Sequence, residues 1–128
     1  SPEVLSLTEA ANAYAAELDD LLTGSNFDAV LLSMGEDGHI ASLFPGLGTT
    51  AHSTNSAVAV DNSPKPPAER VSISVDRLAN SAAIYIFALG EGKREALTKL
   101  VNRDEGPVAL IANSGRFGQI VIATDLKI

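Results

Sequence analysis

The sequence predicts an α/β fold, a mostly parallel sheet with helices on both faces, on three observations. Its most apolar runs, at Ala29–Leu32, Ile84–Leu89 and Ile120–Ala123, are short and do not alternate with polar residues, as in strands buried on both faces. Segments with helical spacing lie between them. At 128 residues and 45% hydrophobic, the chain can build one core but not two ordinary domains. The expected organisation is one α/β domain over 1–128, or the carboxyl-terminal portion of a larger one.

Ser6-Leu7-Thr8-Glu9 has the form of a capping box, in which each side chain satisfies a free amide of the first helical turn. Leu7, Ala11, Tyr14, Leu18 and Leu21 follow at alternating steps of four and three, one face of a helix ending near Gly24. Phe27 to Met34 reads as the first buried strand and Gly35 to Gly38 as a turn. Ile40 to Phe44 reads as a short helix closed by Pro45-Gly46. Because a doubly wound sheet normally opens with a strand, a leading helix suggests that more chain precedes it.

Residues 47–69 are rich in loop formers, with one strand expected at Ala57–Val60. Three prolines in Asn62-Ser63-Pro64-Lys65-Pro66-Pro67 predict a stiff, extended loop. Val71 to Val75 alternates as a strand, and Asp76 can cap a short helix through Ser81. Ala83 to Leu89 is rich in strand formers. Glu91 to Asn102 is expected to be helical, with Leu97, Leu100 and Val101 on one side and a surface Glu95–Lys99 pair. Two further apolar runs follow, at Val108–Ile111 and Ile120–Ala123, the second expected to be a strand.

A net charge of −7 supplies no basic stripe for nucleic acid, so no nucleic-acid partner is expected. There is no cysteine, which removes disulfides, thiolate chemistry and cysteine-ligated zinc. No segment approaches the roughly 20 apolar residues of a membrane helix, so no membrane partner is expected either. Ser1-Pro2-Glu3 has neither the basic start nor the apolar run of a signal peptide, and a cytoplasmic location is expected.

Ligands of open parallel sheets gather beyond the carboxyl ends of strands. Gly35-Glu36-Asp37-Gly38-His39 stands there, after the most apolar strand. Gly35 and Gly38 let the backbone turn sharply and approach a ligand. The amides of the helix expected next would offer donors to an oxyanion or phosphate. His39 can exchange a proton near neutrality, a helix amino terminus would keep its ring neutral, and Asp37 would favour the cation formed on proton uptake. Asp-Gly is also a common turn pair, so the loop alone leaves a solvated turn open. His52 has no such setting and reads as a surface residue. Lys65, on the stiff loop, and Arg70 after it are candidate anion ligands or ordinary surface charges. Gly90-Glu91-Gly92-Lys93 lacks the spacing of a phosphate loop and reads as a strand-to-helix turn.

The run Leu31 to Gly46, Leu-Leu-Ser-Met-Gly-Glu-Asp-Gly-His-Ile-Ala-Ser-Leu-Phe-Pro-Gly, closely resembles the signature of the 6-phosphogluconolactonases. Asn62 to Pro67 with Glu69-Arg70-Val71-Ser72 resembles that family's second block, and Gly90 to Lys93 with the following helix its third. Ser33, Glu36 and Ile40 depart from its usual Gly, Pro and Thr. The resemblance implies a Rossmann-like sheet similar to that of the glucosamine-6-phosphate deaminases, and hydrolysis of 6-phospho-D-glucono-1,5-lactone without cofactor or metal. It implies that His39 activates water, Asp37 orients the site or binds a sugar hydroxyl, and Lys65 holds the 6-phosphate. Arg70 is left a weaker phosphate ligand or a structural residue. Family members are about twice as long, and their amino-terminal half adds a phosphate loop, so that half is an expected partner. The deaminases carry Asn-Glu-Pro where this chain has Leu43-Phe44-Pro45, so Phe44 disfavours an amino-sugar-phosphate isomerase. A non-catalytic sugar-phosphate-binding module is the other alternative.

Overall fold

The computed structural model describes residues 5–46, 55–102 and 106–128. His52 lies outside them. Helix α1 (Leu7–Leu21) starts on the expected capping box: Glu9 N donates to Ser6 Oγ, and the Ser6 amide donates to Glu9 Oε2, both at 3.2 Å. Its buried stripe is Ala11, Ala15 and Leu18, narrower than the expected face, while Leu21 is 80% exposed. The reason is what it packs on. Strands β2 (Ala57–Val60) and β3 (Arg70–Ile73) form only a two-stranded antiparallel ribbon, and α1 lies against it. Arg77 ties the two together, its Nη2 donating to Asp19 Oδ1 at 2.7 Å and its Nε to Ser56 Oγ at 3.0 Å.

The main sheet is parallel, with β4 (Ala83–Phe87) between β1 (Ala29–Ser33) and β5 (Gln119–Ala123). Leu31, Tyr85 and Val121 are in register on one face, and the flanking residues Ile84 and Ile86 point to the other. Against Ile84 and Ile86 pack Leu78 of α2 (Val75–Ala79), Leu97 of α3 (Arg94–Val101) and Ile111 of α4 (Pro107–Ser114), forming the core. The opposite face is open: Leu31 is 68% exposed, Phe87 41% and Val121 38%. The strands are therefore not buried on both faces as expected. β1 lies at an edge, and the described helices α2, α3 and α4 cover one side only.

Four local expectations also change. Ile40 to Phe44 forms no helix. Met34 pairs with Ile40 and Ile40 with Leu43 in isolated bridges, and Ala41 has φ 49°. The proline loop is folded back rather than extended, the Ser63 amide donating to Ala68 O at 3.0 Å. α2 is capped by Ser74, whose Oγ accepts from Arg77 N, whereas Asp76 sits within the first turn and accepts from Arg116 at 2.7 Å. In α3 Ala96 takes the buried place expected of Val101, which is 56% exposed. Val108 to Ile111 lies within α4, which has Pro107 in its first turn and left-handed Gly115 at its end. Among the described residues no helix is long and apolar enough to cross a membrane.

Candidate functional site

β1 and β4 run parallel, so their carboxyl ends lie side by side, and the Met34 amide extends the pairing by donating to Phe87 O at 3.1 Å. There the chain reverses. Gly38 N donates to Gly35 O and Gly35 N to His39 O, both at 2.9 Å, so both glycine amides are engaged within the turn. Gly38 has φ 90°, a conformation that favours glycine. Gly35 is required for another reason: a Cβ there would overlap Cε1 and Nδ1 of His39.

Asp37 Oδ1 accepts from the His39 amide at 3.1 Å and meets His39 Nδ1 at 2.5 Å. A carboxylate against Nδ1 favours the proton on that nitrogen and leaves Nε2 with its lone pair. The imidazole is largely enclosed, its side chain 20% exposed against 36% for Asp37. Partial burial pushes the Asp37 carboxyl up. The ring and amide donors of His39, with the positive charges of His39 and Lys65, outweigh this and hold the acid below its ordinary range. No helix follows His39, so the dipole expected to keep the ring neutral is missing, and so are the helix amides expected to bind an anion. The group set against the ring is Asp37.

Phe44, only 1% exposed, stacks on the His39 ring. Its ring centroid is 4.7 Å from that of His39, with the planes tilted by 32°. On the proline loop the Lys65 ammonium makes no hydrogen bond or ion pair among the described residues, yet its charge reaches Asp37. Arg70 does not reach outward in the same way. Its Nε donates to Pro67 O at 3.1 Å, and its Nη2 to Lys65 O at 3.1 Å and Pro66 O at 3.0 Å. Of the sequence-predicted residues, Gly35 lies beneath the His39 ring and Asp37 on its Nδ1, whereas Arg70 meets Phe44 rather than the imidazole, and Lys65 acts on Asp37 through its charge.

Lys93 was missed. Its Nζ donates at 2.6 Å to Met34 O, the last carbonyl before Gly35. Beside it, Gly92 leaves room for the Glu36 carboxylate, which a Cβ would overlap. The parallel pairing of β1 with β4 was the available signal, because it sets the Gly90 to Lys93 turn against the Gly35 turn. A cleft on the Asp37 side is lined by Met34, Asp37, Gly38, Pro45, Ala96 and Lys99 among others.

Residues 2–121 match the family described as glucosamine-6-phosphate isomerases/6-phosphogluconolactonase. The chain is 38% identical over 106 residues to "6-phosphogluconolactonase 3, chloroplastic" of Arabidopsis thaliana, a match covering 74% of this chain and 33% of that protein. It is 33% identical over 112 residues to a human 6-phosphogluconolactonase, covering 84% of this chain and 43% of the relative. The solved 6-phosphogluconolactonase of Thermotoga maritima superposes with a TM-score of 0.78 at 25% identity, over 94% of this chain and 53% of that one. That of Trypanosoma cruzi, at 24% identity and TM-score 0.77, supports the fold over 96% of this chain and 53% of its own. The chain thus spans about a third of the plant relative's length and about half of the solved chains.

Proposed function

The chain belongs to the glucosamine-6-phosphate isomerase/6-phosphogluconolactonase family, and we propose that the protein carrying it is a lactonase that converts 6-phospho-D-glucono-1,5-lactone to 6-phosphogluconate. The observation that carries this reading is the Asp37–His39 pair seated on Gly35. With Nδ1 on the carboxylate, His39 Nε2 takes a proton from water as the oxygen attacks the lactone carbonyl. Asp37 stabilises the imidazolium so formed. When the tetrahedral intermediate collapses, the same nitrogen returns the proton to the departing ring oxygen. A lactone is already an activated ester, so this chemistry asks for no cofactor. Lys65, with its ammonium uncommitted, receives the 6-phosphate as a point charge. Gly35 and Gly38 shape the floor beneath the sugar.

An isomerase of the deaminase kind is disfavoured by Phe44, a buried ring at the position where the resemblance places an assisting carboxylate. The partner proposed for the open sheet face is the remainder of a family-length polypeptide. Leu31, Phe87 and Val121 make that face apolar enough to need a cover. A cytoplasmic location is proposed for the protein; among the relatives one is named chloroplastic and others endoplasmic.

The test is the rate of hydrolysis of freshly made lactone by the product of the complete open reading frame. Expected is a rate above spontaneous ring opening that His39→Ala abolishes. Activity that survives this substitution removes His39 from the mechanism, and ammonia release from glucosamine 6-phosphate would assign the isomerase reaction instead.

A further inference from the structure

Arg70 opens β3 directly after the proline loop, and its guanidinium faces two ways. On one side it donates to three successive carbonyls, those of Lys65, Pro66 and Pro67. This stretch of loop is poor in its own donors, since Pro64, Pro66 and Pro67 have no amide N–H. On the other side the guanidinium carbon lies 5.4 Å from the centre of the Phe44 ring, and that ring is stacked on His39. One planar cation therefore joins the backbone that carries Lys65 to the aromatic ring that supports the base.

We propose that Arg70 is a positioning residue that sets the reach of Lys65 relative to His39, and that it is not itself a ligand of the substrate phosphate. The proposal rests on the lactonase reading for the identity of the substrate. Its physical basis is the shape of the group. A guanidinium is a rigid fork that can span Pro67 O and Lys65 O while its flat face lies on a phenyl ring. A lysine ammonium at the same place is a single point and cannot do all three. The Arg70 Nε and Nη2 are already engaged by the loop carbonyls, whereas the Lys65 ammonium is free among the described residues. A cation on the loop and one at the start of β3 thus have separate tasks: Lys65 meets the ligand, and Arg70 determines where Lys65 stands.

The test is a double-mutant cycle in the protein encoded by the complete open reading frame, with Lys65→Ala, Arg70→Lys and the pair. It is read as the Kd for 6-phosphogluconate by calorimetry and as KM and kcat for the lactone. Expected is an approximately tenfold weakening from Arg70→Lys alone, in Kd and in KM, that disappears when Lys65 is already alanine. The same factor retained in the Lys65→Ala background would make Arg70 a direct ligand and overturn the proposal. So would a fall in kcat with Kd and KM unchanged, the pattern of a smaller folded fraction. Should Arg70→Lys not fold, Phe44→Leu removes the other arm of the bridge and is expected to weaken Kd when Lys65 is present but not when it is alanine; a Kd equal to that of the unaltered protein counts against the proposal. Coupling in Kd without lactone turnover would leave the positioning role standing and remove the lactonase reading, whereas turnover without coupling would do the reverse. No binding of 6-phosphogluconate by the unaltered protein would remove both.

Discussion

The imidazole of His39 occupies the space in which a side chain on Gly35 would stand. The turn is closed by its own bonds, Gly35 N to His39 O and Gly38 N to Gly35 O, so it cannot widen without breaking them. Gly35→Ala is therefore expected to rotate the ring off Asp37 rather than open the loop. Misplacing a reacting group by about 1 Å can cost about 10²-fold in rate. The expected outcome is a loss of that order in kcat, with KM for the lactone little changed, in a protein that still melts cooperatively. Wild-type kcat in Gly35→Ala would show that the ring position does not matter to the reaction.

Asp37→Asn keeps the size of the side chain and removes its charge. Without a carboxylate on Nδ1 the ring loses the group that fixes its tautomer and stabilises the imidazolium, and kcat is expected to fall by about 10²-fold or more. The substitution also has a pH signature. The folded state holds the Asp37 acid below its ordinary value, so the ionised carboxylate contributes stability above that ordinary value. This stability is lost as pH falls through the lowered folded value. Urea unfolding followed from pH 6 downwards should show a smaller acid loss for Asp37→Asn than for the unaltered protein. Parallel curves would mean that the carboxylate contributes nothing to the fold.

Lys93 holds the carbonyl of Met34, a residue only 2% exposed, just before the Gly35 turn. Lys93→Met removes a charged donor from a part-buried acceptor, a change worth about 1.5–3 kcal/mol. Chemical denaturation should detect a loss of that size, accompanied by a lower kcat because the turn is no longer pinned. A change within about 0.5 kcal/mol, the range of ordinary surface substitutions, would class the lysine as solvated.

What the sequence made legible here is mostly local. The Ser6–Glu9 capping box needs only its own turn, and Asp37 and His39 are two residues apart, so their partnership could be read directly. The parallel strands were visible as short apolar runs, although among the described residues only β4 is hydrogen-bonded along both edges. The misreadings have tertiary causes. Ile40 to Phe44 has helical composition, but its pairing with Met34 decides its shape. The reach of Lys93 to Met34, and of Arg70 to the proline-loop carbonyls and Phe44, depends on which strands become neighbours. No periodicity carries that information. The width of the buried stripe on α1 was likewise set by its partner, a ribbon of two strands that asks only for Ala11, Ala15 and Leu18.

The open sheet face gives a prediction about the protein as a whole. Leu31 stands on the exposed side of β1, beside Tyr85 and in line with Val121, and is 68% exposed among the described residues. If the remainder of a family-length polypeptide covers this face, Leu31 is a core residue there. Leu31→Asn then loses the burial of a leucine and places an amide in an apolar layer, a cost of about 2–4 kcal/mol. If the face meets water, the same substitution removes an apolar group from solvent contact and should change stability by no more than about 0.5 kcal/mol. Leu21, 80% exposed on the outer side of α1, supplies the control, and Leu21→Asn is expected to be near neutral in either case. Urea unfolding of both variants, made in the complete open reading frame, separates the two situations. A near-neutral Leu31→Asn would mean that this sheet face is left bare and that its three large apolar residues need a different explanation.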